Sequence, residues 1–294
     1  MRKARSLLAS GLFLSGIWAA SPAMAQTAPP PTSLHADPFY ARYADAGGIP
    51  ILSSARVPER ALLAARDIVQ AMLAERPDLR AQLVADGIRV AVMAADETTL
   101  DLPEQRGWKK PARDDPRLTP CERKQYDARI GRLSDRDYWD ARARGMSGPL
   151  TSTSAENLLG DPNGRFYGQN VLVHEFAHMI LLAAEKRDSA LYGEVARAYA
   201  DALAAHRWQG EYAAVSIGEY WSVATQIWFN TNPLVAVDGR RILSHQDLEA
   251  YDPALYRALA KVYGTNHHIP ADVFYMHPAR VPPGPPPRNT AEVC

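Results

Sequence analysis

Residues 174–178 read His-Glu-Phe-Ala-His inside an otherwise apolar run from Val171 to Leu182. A run of this length with helical spacing has to be buried, yet it carries two imidazoles and a carboxylate. On a helix, positions i and i+4 share a face, so His174 and His178 can point at one ion. Glu175 stands one step round the helix, where its carboxylate addresses a water beside that ion rather than the ion itself. Two neutral nitrogen donors with an adjacent base is the arrangement that zinc hydrolases use. The chain is therefore expected to fold around a buried helix whose polar side opens into a cleft holding one Zn2+.

A catalytic zinc takes three protein ligands and keeps its fourth position open. A Gly and a third His three and six residues past the second His would complete one version of the motif, but those positions hold Leu181 and Ala184. A later Glu is the other route, with Glu185, Glu194, Glu211 and Glu219 as candidates. Glu185 lies seven residues past His178, about 10 Å along the same helix, too far to close the site. Glu194 is open to a second helix folding straight back. Glu219 sits in a stretch that is apolar on either side, Ile217, Tyr220, Trp221, Val223, Ala224, Ile227 and Trp228. A carboxylate buried there needs a partner, and a metal supplies one. Read without a metal, Glu219 is the third helical residue after an N-cap Ser216, a capping-box spacing.

At these residues the chain resembles the Mlc titration factor A family of gluzincin peptidases and, more distantly, the catalytic domain of anthrax lethal factor. The resemblance rests on His174-Glu175-Phe176-Ala177-His178, Tyr212-Ala213-Ala214 and Glu219-Tyr220-Trp221, and covers about residues 165–230. It implies His174, His178 and Glu219 as zinc ligands, Glu175 as general base and Tyr212 as a catalytic group that stabilises the transition state. It implies a peptide or protein substrate and an α+β fold, a helix-rich zincin-like domain with a small sheet. A peptide-binding module with little catalysis, and an amidase acting on cell-wall peptides, are compatible with the same residues.

Arg2, Lys3 and Arg5 precede an apolar stretch from Leu7 to Ala20, and Ala23-Met24-Ala25 is a small-x-small cleavage site. This reads as a signal peptide over 1–25, cut after Ala25, for a periplasmic or secreted protein. Its removal leaves 30 Lys and Arg against 33 Asp and Glu, a net charge of −3. That balance offers no footprint for nucleic acid, and no later stretch suits stable membrane insertion. Cys121 and Cys294 are expected to pair as a disulfide in an oxidising compartment.

The remaining chain divides into a flexible Pro-rich leader over 26–48, one domain over 49–280 and a Pro-rich tail over 281–294. Helices are expected over 58–76, 78–85, 167–186, 189–206, 216–229 and 251–263, with a buried strand over 88–94. Residues 96–148 read as long loops with short helices, either solvated or forming one wall of a cleft. Residues 149–159 read as extended, with Ala155 to Leu158 as an edge that adds a substrate strand. The remaining histidines, 35, 206, 245, 267, 268 and 277, read as surface or loop residues.

Overall fold

The computed structural model describes residues 27–116 and 118–285. The signal segment and Cys294 lie outside the described residues, so neither the cleavage site nor the Cys121 pairing is placed. In chain order the elements are β1 (Arg42–Asp45), β2 (Pro50–Ser53), α1 (Glu59–Met72), α2 (Pro77–Ala85), β3 (Arg89–Met93), α3 (Pro120–Lys124), α4 (Asp135–Arg142), β4 (Leu150–Ser154), α5 (Ala155–Leu158), α6 (Val171–Arg187), α7 (Ser189–Ala204), α8 (Ile217–Trp228), β5 (Val235–Val237), β6 (Arg240–Ile242), α9 (His245–Tyr251) and α10 (Pro253–Tyr263). This is the helix-rich α+β class expected, with a small sheet.

The main sheet has the order β1-β2-β3-β4. The β1–β2 pair is antiparallel, and β2–β3 and β3–β4 are parallel. Alternation along the strands assigns its two faces. Ile51, Val90 and Val92 turn towards the large core with α1, α6, α8 and α10, whereas Leu52, Ala91 and Met93 face a smaller cluster with Tyr40, Leu102 and Leu150. Leu34, Ala36, Phe39 and Tyr43 also pack against that second cluster. The expectation of a flexible leader over 26–48 is thereby corrected. Thr27 and Ala28 are tied to Glu59 and Tyr43, and the residues beyond them cover the sheet. Tyr40 is buried and the other apolar side chains are partly buried, even though their spacing follows no single period.

The expected edge at Ala155–Leu158 is also corrected. Those residues form the helical turn α5 after β4, so their backbone is not extended and cannot receive a substrate strand. The outer side of β4 meets Met146, which exchanges two backbone hydrogen bonds with Ser152 at 2.8 and 3.3 Å.

Helix α6 starts at Val171 rather than at 167, because Asn170 is its N-cap and accepts from the Val173 N–H. Phe176, Ala177, Ile180 and Ala184 are buried on its core side. Arg76 pairs with Asp188 at 2.9 Å, and Asp188 caps α7 by accepting from the Leu191 N–H. The α6–α7 junction is thus fixed to the start of α2. In the expected loop region, Leu118, Ile130 and Tyr138 form a third cluster, closed by the Trp108–Trp139 ring contact at 4.9 Å. No helix among the described residues is long and apolar enough to cross a membrane.

Candidate metal centre

Helix α6 places His174 and His178 one turn apart, and their Nε2 atoms lie 3.4 Å from each other. Helix α8 packs across α6 and brings Glu219 between them. Its Oε2 is 3.0 Å from His174 Nε2 and 3.6 Å from His178 Nε2. Among the described residues, these three form the group of histidine, cysteine or acidic side chains whose ligand atoms converge on a point suited to a metal ion. Glu194 instead pairs with Lys261 at 2.6 Å, and Glu185 is exposed about two turns further along α6. Glu219 also departs from a pure capping role. Ser216 Oγ accepts from the Glu219 N–H at 3.2 Å, but the Glu219 carboxylate is turned to the histidines.

The donor set can be tested against zinc. Zn–N and Zn–O bonds of about 2.0–2.2 Å in a tetrahedron set ligand atoms about 3.3–3.5 Å apart. The observed separations of 3.0, 3.4 and 3.6 Å straddle that edge length. Gln226 Nε2 donates to the Asn170 carbonyl at 2.8 Å, which leaves Gln226 Oε1 facing His174 Nδ1 at 3.2 Å. That acceptor holds a His174 proton on Nδ1, so Nε2 is left to a metal ion or, without one, to a second proton shared with Glu219. Nitrogen and carboxylate atoms this close need positive charge between them, which a zinc ion or, in its absence, a shared proton supplies. The residues fit one zinc ion.

The electrostatics agree with a site built for positive charge. Burial opposes ionisation of Glu219, but hydrogen bonds to His174 and His178 overcome it and hold the carboxyl well below the usual carboxylate range. Burial likewise disfavours a charged His174, yet its hydrogen bond with Glu219 and the nearby carboxylates raise its pKa. Burial raises the pKa of Glu175, whose carboxylate accepts from the Ser147 backbone N–H. Tyr212 donates to Glu219 Oε1 at 3.0 Å, and its ring stacks on His174 with centroids 6.1 Å apart. Desolvation of the hydroxyl and the Glu219 charge raise its pKa and keep it protonated.

Two glycines permit this approach. A Cβ on Gly218 would lie 2.9 Å from His178 Nδ1, so only glycine lets the start of α8 come this close to the ring. A Cβ on Gly145 would lie 2.4 Å from Val171 Cγ1 and 2.8 Å from the Ser152 carbonyl oxygen, which is how the 145–147 backbone reaches Glu175. Arg142, at the end of α4, lies close enough to Tyr212 for its guanidinium charge to act on the neutral hydroxyl.

All five expected site residues are thus gathered in one place. Gln226, Asn170, Gly145 and Gly218 were missed in the sequence. A signal existed for Gln226, which stands two helical turns after Glu219 and so on the same face. Another existed for Asn170, an N-cap residue type directly before the apolar run. Of the other histidines, His245 and His267 are not simple surface residues, since their rings stack 3.7 Å apart and His267 also packs against Trp228.

No protein-family model matches this chain, and no curated protein does. Among solved structures it is similar to a PRO-PRO endopeptidase (PPEP-2) from Paenibacillus alvei. The similarity is 13% identity over 72% of this chain and 96% of that chain, with a TM-score of 0.45.

Proposed function

We propose that this chain is an exported, zinc-dependent metallopeptidase of the gluzincin kind, acting on a peptide or protein substrate. The observation that carries this reading is the convergence of two imidazole nitrogens from α6 and one carboxylate oxygen from α8, with Glu175 beside them. His174, His178 and Glu219 would hold the ion. When bound, zinc supplies Lewis acidity that brings the pKa of a water ligand from about 16 to near 7.

The chain's own residues do the rest. Glu175 accepts a proton from the attacking water and delivers it to the departing amide nitrogen. The Ser147 N–H faces the Glu175 carboxylate and favours its ionised, proton-accepting form. The Tyr212 hydroxyl leaves Glu219 and donates to the substrate carbonyl oxygen as that oxygen gains negative charge. Export rests on the sequence features of residues 1–25.

The test combines metal analysis of the purified protein with a mixed peptide-library digest, with and without chelator. Zinc near one per chain, and cleavage lost on chelation and restored by zinc, support the reading. Zinc without cleavage identifies a binding module. Cleavage of cell-wall amides alone identifies an amidase.

Two substitutions probe single parts of the site. Tyr212→Phe should lower turnover by about 10²- to 10³-fold, as loss of one oxyanion donor does, with zinc content unchanged. Full turnover in that variant would assign the tyrosine to packing. Gly218→Ala should favour helix α8 by up to about 1 kcal/mol yet weaken zinc binding about tenfold or more by pushing the His178 ring. A competition titration showing affinity equal to the parent would mean the ring has room to yield.

A further inference from the structure

We infer that Gln226 is a positioning residue for the metal site, fixing the tautomer of His174 and so setting how tightly the three ligands hold their ion. This rests on the reading of His174, His178 and Glu219 as a zinc site. Gln226 is 3% exposed and Asn170 1% exposed, so neither exchanges its hydrogen bonds with bulk water. Both ends of the Gln226 amide are occupied. Nε2 donates to the Asn170 carbonyl at 2.8 Å, and Oε1 faces His174 Nδ1 at 3.2 Å.

An amide has two orientations, and the Asn170 carbonyl permits one of them. A flipped Gln226 would set oxygen against oxygen at Asn170 and present its NH2 to His174 Nδ1. The ring would then carry its proton on Nε2, the atom that faces Glu219, and could not ligate through it. Asn170 is itself held on every side. Its N–H donates to the Thr231 carbonyl at 3.2 Å, its Oδ1 accepts from Val173 N–H at 3.2 Å, and its Nδ2 donates to Asp272 Oδ1 at 2.8 Å. A chain of buried hydrogen bonds thus runs from Asp272 through Asn170 and Gln226 to His174. Glu219 and Gln226 lie seven residues apart on α8, so one helix face supplies a ligand to the ion and an acceptor to the outer nitrogen of another ligand. Being neutral, Gln226 orients the ring without adding negative charge around the ion. Outer partners of this kind typically change metal affinity 10- to 100-fold.

The test measures the zinc dissociation constant by competition with a chromophoric chelator, after stripping the metal from the full chain. The parent is compared with Gln226→Leu, Gln226→Glu and His178→Ala, each checked for fold by far-UV circular dichroism. Gln226→Leu keeps the side-chain volume but removes the acceptor, and should bind zinc 10- to 100-fold more weakly. Gln226→Glu restores an acceptor oxygen towards Nδ1 but sets its other oxygen against the Asn170 carbonyl, so it should bind more tightly than Gln226→Leu and more weakly than the parent. A Gln226→Leu protein that binds like the parent overturns the inference. A parent that binds no better than His178→Ala overturns the zinc reading itself, and the inference falls with it. A measurement on the parent alone covers the case of an unfolded variant. Long-range ¹⁵N correlations of the zinc-loaded protein should show His174 with its proton on Nδ1, and a His174 bound through Nδ1 contradicts the assignment.

Discussion

Glu175→Gln should keep its zinc and lose hydrolysis. The amide is nearly isosteric with the carboxylate and can still accept from the Ser147 N–H, so the 145–147 backbone stays against α6. What the variant lacks is a group that can take a proton and return it. General acid–base groups contribute about 10²- to 10⁴-fold, and turnover should fall by that range with substrate binding little changed. Zinc content by metal analysis and the rate on a cleaved library peptide are read on the same sample. Since His174, His178 and Glu219 supply the ligand atoms without Glu175, loss of zinc from this variant under conditions where the parent keeps it would contradict the role. Unchanged turnover would contradict it equally.

Asp252→Ala should give the largest loss of stability. Asp252 is fully buried at the junction of α9 and α10. Its Oδ2 accepts from Trp208 Nε1 at 3.0 Å and from the Tyr220 hydroxyl at 2.6 Å, and its Oδ1 accepts from Leu255 N–H at 3.3 Å as the α10 cap. Truncation leaves two buried donors without their acceptor, at about 1–3 kcal/mol each, and removes a cap worth about 1 kcal/mol. Some repacking will offset this, so a net loss of about 3–5 kcal/mol is expected. Urea unfolding in chelator, which removes any contribution from bound metal, should show a lower midpoint with an unchanged slope. Tyr220 follows Glu219 directly on α8, so the same variant should also loosen the ligand helix. A loss under about 1 kcal/mol would show that the two donors find other partners.

The parts of the molecule that were legible in the sequence are those where one local rule acts alone. The apolar run around His174 could only be a buried helix, while apolar spacing placed α1 and α10 and the Ser216 cap placed α8, each to within a few residues. Glu219 stood out because a carboxylate among tryptophans needs a partner. Ala155–Leu158 was not legible in this way. No Gly or Pro separates it from β4, so an extended edge and a helical turn were both open, and packing against α1 and β4 decides. The segment 27–48 has the composition of a linker, yet Phe39 and Tyr40 are placed by a sheet face that exists only after β1 to β4 pair. Gln226 was hidden for a different reason. Its role depends on which way an amide points, and that is set by the Asn170 carbonyl, 56 residues away in the chain.

Crystals of the zinc-treated protein, with data collected above and below the zinc absorption edge, test the central claim most directly. An anomalous peak should lie about 2.0–2.2 Å from Nε2 of His174, Nε2 of His178 and a carboxylate oxygen of Glu219. No peak among these atoms at saturating zinc, or an ion held elsewhere while Glu219 turns away from the imidazoles, would contradict it.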